Sequence, residues 1–301
     1  MEQQIMFEKI LVANRGEIAV RIMRSAQELD IKTVAIYEET DKEAFHITQG
    51  DEAICVGPGP RKDYLNIEGI IEAAKKTGAQ AIHPGYGFLA ENPDFSNACT
   101  DAGLVFIGPP PEVIRNLGSK VIARQIAIDA GIPVIPATDN LSPGGQGEEE
   151  AINFAAEQGY PIMIKAVSGG GGRGIRRVED KKGLLDGLKR SRSEAMMSFG
   201  NDEVYLEKCL QRPQHVEVQI LADQHGNVVH LGTRNCSIQR RHQKLIEIAP
   251  AGLKKQLADE ICTAAVKVTK AANYLSAGTV EFLVGPEGEF YFLEVNTRIQ
   301  V

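Results

Sequence analysis

The chain has 301 residues and a net charge of −7; 43% of residues are hydrophobic, 24% charged and 6% aromatic. That suffices for two or three globular domains with a sizeable core, and the acidic balance argues against a nucleic-acid binder while leaving room for a local basic pocket. No apolar run is long enough to span a bilayer, the start MEQQIMFEK lacks the regions of a signal peptide, and the scattered cysteines Cys55, Cys99, Cys209, Cys236 and Cys262 form no CxxC pair, which points to reduced thiols in a cytoplasmic protein.

Met6 is an alternative natural start to Met1. Residues 9–13 read as a buried strand, and Asn14-Arg15-Gly16 turns into a helix on which Ile18, Ile22, Met23, Ala26 and Leu29 recur at helical spacing. Strands at 33–37, 79–83 and 104–107 then alternate with helices at 66–76 and 92–102. Such alternation predicts an α/β, doubly wound parallel sheet. His83-Pro84-Gly85-Tyr86-Gly87 reads as a rigid loop at a strand's carboxyl end, where open sheets bind ligands. The formal GxGxx(G/A) match at Gly85 is weak, because Pro84 interrupts the entry and no acidic residue follows at the usual distance.

A helix is predicted at 119–130, with Lys120 at its start. Residues 139–147 read as a linker, and 148–158 as a helix with acidic residues in its first turn, where the helix dipole favours them. The strand 161–166 carries Lys165; glycines 169–172 and Arg173-Gly174 follow, and 175–178 returns as a second strand. Successive N–H groups without side chains can curl around an anion, and a lysine at the mouth supplies a point charge for phosphate. The alternative is a surface hairpin; the P-loop pattern is absent. A helix at 180–198 and a strand at 204–207 complete an α+β unit of about seventy residues, the size of a lid that closes over a ligand. Lys208, Cys209 and Leu210 sit where that lid rejoins the body.

Strands are predicted at 214–221 and 228–233, with a turn at 223–227. Residues 236–244, read as one extended strand, place Arg240, His242 and Lys244 on one side and Gln239, Arg241 and Gln243 on the other. Such a strand is the floor of an anion site or a solvated edge. Strands at 278–284 and 290–296 flank Gly285-Pro286-Glu287-Gly288. A two-residue turn on Glu287-Gly288 sets Glu281 directly opposite Glu294. Like charges so placed destabilise a sheet unless a cation lies between them, and Mg²⁺ takes one or two carboxylates and substrate phosphates for the rest of its shell. By alternation Asn296 and Arg298 share the face of Glu294.

HPGYGFLAEN, the GGGGRG hairpin, SIQRRHQK and FLEVNTRIQV, in this order over nearly the whole chain, together resemble biotin carboxylase of the ATP-grasp superfamily. That family occurs as a free subunit or as the N-terminal part of pyruvate, acetyl-CoA and propionyl-CoA carboxylases. The resemblance implies a pre-ATP-grasp domain over residues 1–118 and an ATP-grasp domain over 119–301, with a lid at about 139–208. It implies ATP- and Mg²⁺-dependent (or Mn²⁺-dependent) carboxylation of carrier-bound biotin, in which bicarbonate attacks the γ-phosphate and the resulting carboxyphosphate delivers CO₂ to biotin. Its partners would be a biotin carboxyl carrier protein or domain, a carboxyltransferase and a second copy of the chain. Carried over by motif, Lys120, Lys165 and His215 contact the nucleotide, Gly171 and Gly172 cover the phosphates, and Glu207, Lys208 and Leu210 hold the adenine. Gln239 and His242 also line the nucleotide site, and Glu281, Glu294 and Asn296 hold the metal. Lys244, Arg298, Gln300 and the Val301 backbone grip bicarbonate, with Lys244 and Arg298 as catalytic groups, and Tyr86 and Gly87 lie near biotin.

Thr233-Arg234-Asn235 and Glu247-Ile248 depart from the family pattern, which has acidic residues around the arginine and paired glutamates in the second place. The pattern also continues past Val301 with a Glu that serves as bicarbonate base and a later Arg. The chain as given is therefore expected to bind nucleotide without completing carboxylation, with Arg298 loosely held. Two rival readings are another bicarbonate-activating ATP-grasp ligase, similar to carbamoyl phosphate synthetase, and a non-catalytic nucleotide-binding module.

Overall fold

Alternating strands and helices at the start of the chain form a five-stranded parallel sheet in the computed structural model, which describes residues 7–60, 62–167, 174–240 and 243–301, the side chain of Phe199 excepted. The alternative starts Met1 and Met6, the glycines 169–172 with Arg173, and Arg241 and His242 lie outside these described residues. The elements are β1 (Lys9–Val12), α1 (Gly16–Gln27), β2 (Lys32–Glu38), β3 (Glu52–Gly57), α2 (Ile67–Thr77), β4 (Ala81–His83), α3 (Pro93–Asp101) and β5 (Val105–Phe106), with strand order β3-β2-β1-β4-β5. Successive side chains of a strand face opposite ways. Ile10 and Val12 therefore pack with Ile18, Ile22 and Met23 of α1, while Leu11 and Ala13 pack with Ile70 of α2 and Phe95 of α3. Helices cover both faces, as in a doubly wound sheet. Helix α1 ends at Gln27, so Leu29 falls outside its apolar stripe and is exposed. Strand β3 was not predicted, because as an edge strand it keeps most of its side chains at least partly exposed and shows no clean alternation.

Helices α4 (Pro111–Gly118) and α5 (Lys120–Asp129) lead into a small unit of α6 (Gly144–Gln158), β6 (Ile162–Ala166), β7 (Ile175–Val178), α7 (Lys181–Phe199) and β8 (Val204–Lys208). Its antiparallel sheet runs β7-β6-β8, and Ala151, Ala155, Leu184 and Leu188 of the two helices cover Ile162 and Ile164. Lys165 pairs with Ile175, so the strands on either side of the glycines are neighbours. Helix α6 starts at Gly144 rather than at Glu148, so the predicted linker supplies its first turn. Close packing explains this: a Cβ on Gly147 would lie 2.0 Å from the Ser142 carbonyl oxygen, and only glycine lets the turn approach so closely.

The last part holds β9 (Gln214–Ala222), β10 (Val228–Arg240), β11 (Gln243–Ile248), α8 (Lys255–Ala271), β12 (Ser276–Val284) and β13 (Phe290–Asn296), in an antiparallel sheet ordered β11-β10-β9-β12-β13. On its back face Val216, Val218 and Ile220 join Val280, Phe282 and Val284 over Ile261, Ala265 and Val268 of α8. Each large apolar side chain buried this way contributes roughly 1.5–3 kcal/mol. The front face is left to Glu217 and Glu281. Two sequence expectations change here. Gln239 pairs with Lys244 and Arg240 with Gln243, so residues 236–244 belong to two strands rather than one, and Gln239 shares a face with Lys244 instead of opposing it. The closing turn is also wider than two residues: the Gly285 N–H donates to the Glu289 carbonyl at 2.8 Å, enclosing Pro286, Glu287 and Gly288. A register shift between Glu281 and Phe282 compensates, so Glu281 still pairs with Glu294.

Candidate active site

Four charged residues lie in one row across the front of the antiparallel sheet. Arg234 of β10 pairs with Glu217 of β9, Glu217 with Glu281 of β12, and Glu281 with Glu294 of β13. Directly paired residues share a face, so three carboxylates and one guanidinium are forced side by side. The protein neutralises them unequally. Glu217, fully buried, is bonded by both Arg234 and Lys244. Lys244 also donates to Glu281 Oε1 at 2.5 Å. His215 Nε2 donates to Glu281 Oε2 at 2.6 Å, and its Nδ1 accepts from the Gln239 amide at 2.9 Å. Asn296 Nδ2 gives Glu281 a further bond at 2.6 Å.

These contacts separate the two opposed carboxyls. Burial pushes Glu281 up, but the bond from His215 and the charge of Lys244 outweigh it and hold the group at about 2. Burial pushes Lys244 down, and Glu281 and Glu217 more than reverse this. Glu294 is raised above the usual carboxylate range by burial and by the charge of Glu281; Lys120, at the start of α5, opposes the rise. Among the described residues Glu294 has no hydrogen bond or ion pair. A partly buried carboxylate facing another, with no cation bonded to it among the described residues, fits a divalent metal of the Mg²⁺ type, which prefers carboxylate oxygens and leaves positions for phosphates.

Beside this row, Arg298 is held rather than loose. Its Nε donates to Glu91 Oε2 at 3.1 Å, Nη1 to the Ile299 carbonyl at 3.2 Å and Nη2 to Asn296 Oδ1 at 3.1 Å. Gln300 donates to Thr279 Oγ1 at 2.8 Å, and its carbonyl accepts from Arg21. Val301 is exposed. Tyr86 lies within electrostatic reach of Arg298; its hydroxyl donates to Glu17, and burial together with that bond raises it to about 12. Its loop is pinned by the buried Asn14, whose Nδ2 donates to the Pro84 and Tyr86 carbonyls, both at 2.8 Å. Gly87 follows with φ +66°, a left-handed conformation suited to glycine.

Lys165 lies on the small sheet and is bonded to Glu207 of β8, apart from the glutamate row. Beyond Glu207, the N–H of Lys208 donates to the Pro136 carbonyl at 2.9 Å and that of Cys209 to Pro161 at 3.2 Å, so this segment and the half-buried Leu210 leave the small sheet in a fixed direction. Gly171, Gly172 and His242 lie outside the described residues. Sequence reasoning missed Glu217, Arg234 and Glu91. Glu217 had a legible signal: His215, Glu217 and Gln219 alternate with Val216, Val218 and Ile220, so a polar face was visible, but not which strand it would face.

Residues 6–114 match the biotin carboxylase N-terminal domain family, and residues 119–301 match the ATP binding domain of the carbamoyl-phosphate synthase L chain. The chain is 49% identical over 299 residues to biotin carboxylase 1 of Bacillus subtilis, covering 98% of this chain and 66% of that protein. It is 52% identical over 297 residues to the pyruvate carboxylase of Staphylococcus aureus, covering 98% of this chain and 26% of that protein. Among solved structures, the Campylobacter jejuni biotin carboxylase–β,γ-ATP complex superposes with a TM-score of 0.86 at 46% identity, over 98% of this chain and 66% of that one. The biotin carboxylase domain of Hydrogenobacter thermophilus 2-oxoglutarate carboxylase, solved with MgADP, ADP and bicarbonate, gives 0.85 at 46% identity, over 99% of this chain and 65% of that one. The chain thus spans only part of the length of each of these relatives.

Proposed function

The chain belongs to the biotin carboxylase family of ATP-grasp enzymes, and from that membership we propose that it provides the MgATP and bicarbonate sites for carboxylation of carrier-bound biotin. The observation that carries the reading is the opposed pair Glu281 and Glu294, with Lys244 bonded to the first and, among the described residues, no ion pair on the second. In this reading Lys120, Lys165 and His215 bind the nucleotide, Gly171 and Gly172 cover its phosphates, and Glu207, Lys208, Leu210, Gln239 and His242 line its pocket. Glu281, Glu294 and Asn296 hold Mg²⁺, which when bound neutralises phosphate charge. Lys244, Arg298, Gln300 and the Val301 backbone hold bicarbonate, and Tyr86 with Gly87 meets biotin.

Phosphoryl transfer depends mainly on positioning and charge neutralisation. Lys244 and Arg298 supply positive charge beside the attacking anion, and the lysine's two carboxylate partners keep it protonated. The domain arrangement we propose is 1–118 followed by 119–301, with residues 139–208 as the lid. Its partners in that role are a biotin carrier, a carboxyltransferase and a second copy of the chain.

The carbamoyl-phosphate-synthase-like reading draws on the match over residues 119–301, but the match over 6–114 favours the biotin branch. An assay of ADP release separates the readings. Dependence on bicarbonate with stimulation by free biotin is the expected result. Bicarbonate dependence without biotin stimulation would favour the other ligase, and nucleotide binding without either would favour a non-catalytic module.

A further inference from the structure

We propose that Glu91 is a positioning residue that fixes Arg298 as an anion-binding fork, an inference that rests on the bicarbonate role given to Arg298 above. The two residues are far apart in sequence, Glu91 in the loop between β4 and α3 and Arg298 just past the end of β13, yet both oxygens of Glu91 are committed to one short segment. Oε1 accepts from the Thr297 backbone N–H at 3.1 Å and from its hydroxyl at 3.3 Å, and Oε2 accepts from Arg298 Nε at 3.1 Å. An isolated ion pair with a 43% exposed carboxylate would be a weak constraint. Here the carboxylate is fixed by the buried Thr297, and the same bonds then fix the arginine.

The mount on the other side is equally rigid. Glu91 follows the buried Leu89 and Ala90 and precedes Asn92, whose side chain caps α3 by accepting from the Asp94 and Phe95 N–H groups at 2.8 and 3.1 Å. Pro93 opens that helix. Glu91 therefore projects from a stiff corner of the parallel-sheet half onto the end of the antiparallel sheet.

A guanidinium carries five N–H donors. Glu91 takes Nε–H, Ile299 takes one from Nη1 and Asn296 takes one from Nη2. Among the described residues one N–H on each terminal nitrogen has no acceptor, a pair suited to a planar oxyanion. Asn296 also bonds Glu281, so Glu91, Arg298, Asn296 and Glu281 form one chain of contacts from the loop to the carboxylate pair. A purely stabilising contact would not need this placement.

The test titrates the full chain with ¹³C-labelled bicarbonate, followed by NMR line broadening, in wild type, Glu91→Gln and Arg298→Ala. ATP affinity and the thermal midpoint are measured on each. Glu91→Gln should weaken bicarbonate binding about 10-fold to 100-fold, the usual scale for a misplaced binding group, with ATP affinity and thermal midpoint unchanged. Unchanged or tighter bicarbonate binding in Glu91→Gln, with binding lost in Arg298→Ala, would overturn the positioning role and leave the bicarbonate site standing. Equal loss of ATP and bicarbonate binding in Glu91→Gln would show general packing and overturn it too. No effect of Arg298→Ala would remove the bicarbonate assignment and this inference with it.

Discussion

Glu281 and Glu294 face each other across neighbouring antiparallel strands, and among the described residues only the first is bonded by protein cations. Lys244, His215 and Asn296 all converge on Glu281. The arrangement costs stability in the free protein and leaves an electrostatic place for a cation. The two carboxyls should therefore respond in opposite ways to the same substitution.

In metal-free protein, Glu294→Gln should raise stability by about 0.2–1 kcal/mol, the size of an opposed like-charge pair. Glu281→Gln should lower it by about 1.5–3 kcal/mol, because three donors lose a charged acceptor. Urea unfolding in EDTA measures both. Equal destabilisation by the two variants would contradict the asymmetry.

Acid stability should divide in the same way. Glu281 titrates in the folded protein at about 2, below its ordinary 4.5. Its contribution is present above the ordinary value and is lost as pH falls towards the folded one. Glu294 is raised, so the folded state holds its proton more tightly, and its ionisation costs stability as pH rises from the ordinary value through the raised one. In EDTA, thermal midpoints across the weakly acidic range should show this loss in wild type and not in Glu294→Gln. Parallel profiles would contradict it.

Much of this site was legible in the sequence, though not always by the right route. The Glu281–Glu294 pairing was predicted from a two-residue turn; the actual turn is wider, and a register shift restores the match. Glu217 was missed because no local pattern tells which strand will lie beside β9. Helix α8 was missed although Ile261, Ala265 and Val268 recur at helical spacing, so there the signal was present. Glu91 lies inside the HPGYGFLAEN motif, yet its role was not legible there, since its partners Thr297 and Arg298 are brought to it only by the packing of the two halves.

Lys165 is the only cation bonded to Glu207 among the described residues, and in the proposed complex it turns to phosphate. Lys165→Ala should weaken MgATP binding by roughly 1.5–3 kcal/mol, about 10-fold to 100-fold in Kd. Calorimetry reads this directly, and an unchanged Kd would remove Lys165 from the nucleotide site.

The loop carrying Tyr86 depends on Asn14. Gly85 has φ +66°, and a Cβ there would lie 2.9 Å from Asn14 Nδ2. Gly85→Ala should cost about 1–2 kcal/mol for the left-handed backbone, plus the clash, and Asn14→Ala about 1–3 kcal/mol for two unmet carbonyls. The double variant should cost less than the two together, because removing the amide removes the clash. Strict additivity in urea unfolding would show that the two residues act independently.

In the proposed function the opposed glutamates receive a metal–nucleotide complex. Calorimetric titration of ATP, with Mg²⁺ and with EDTA, into wild type and Glu294→Gln tests it most directly. Mg²⁺ should tighten ATP binding to wild type and have little effect on Glu294→Gln. The same gain from Mg²⁺ in both proteins would contradict it.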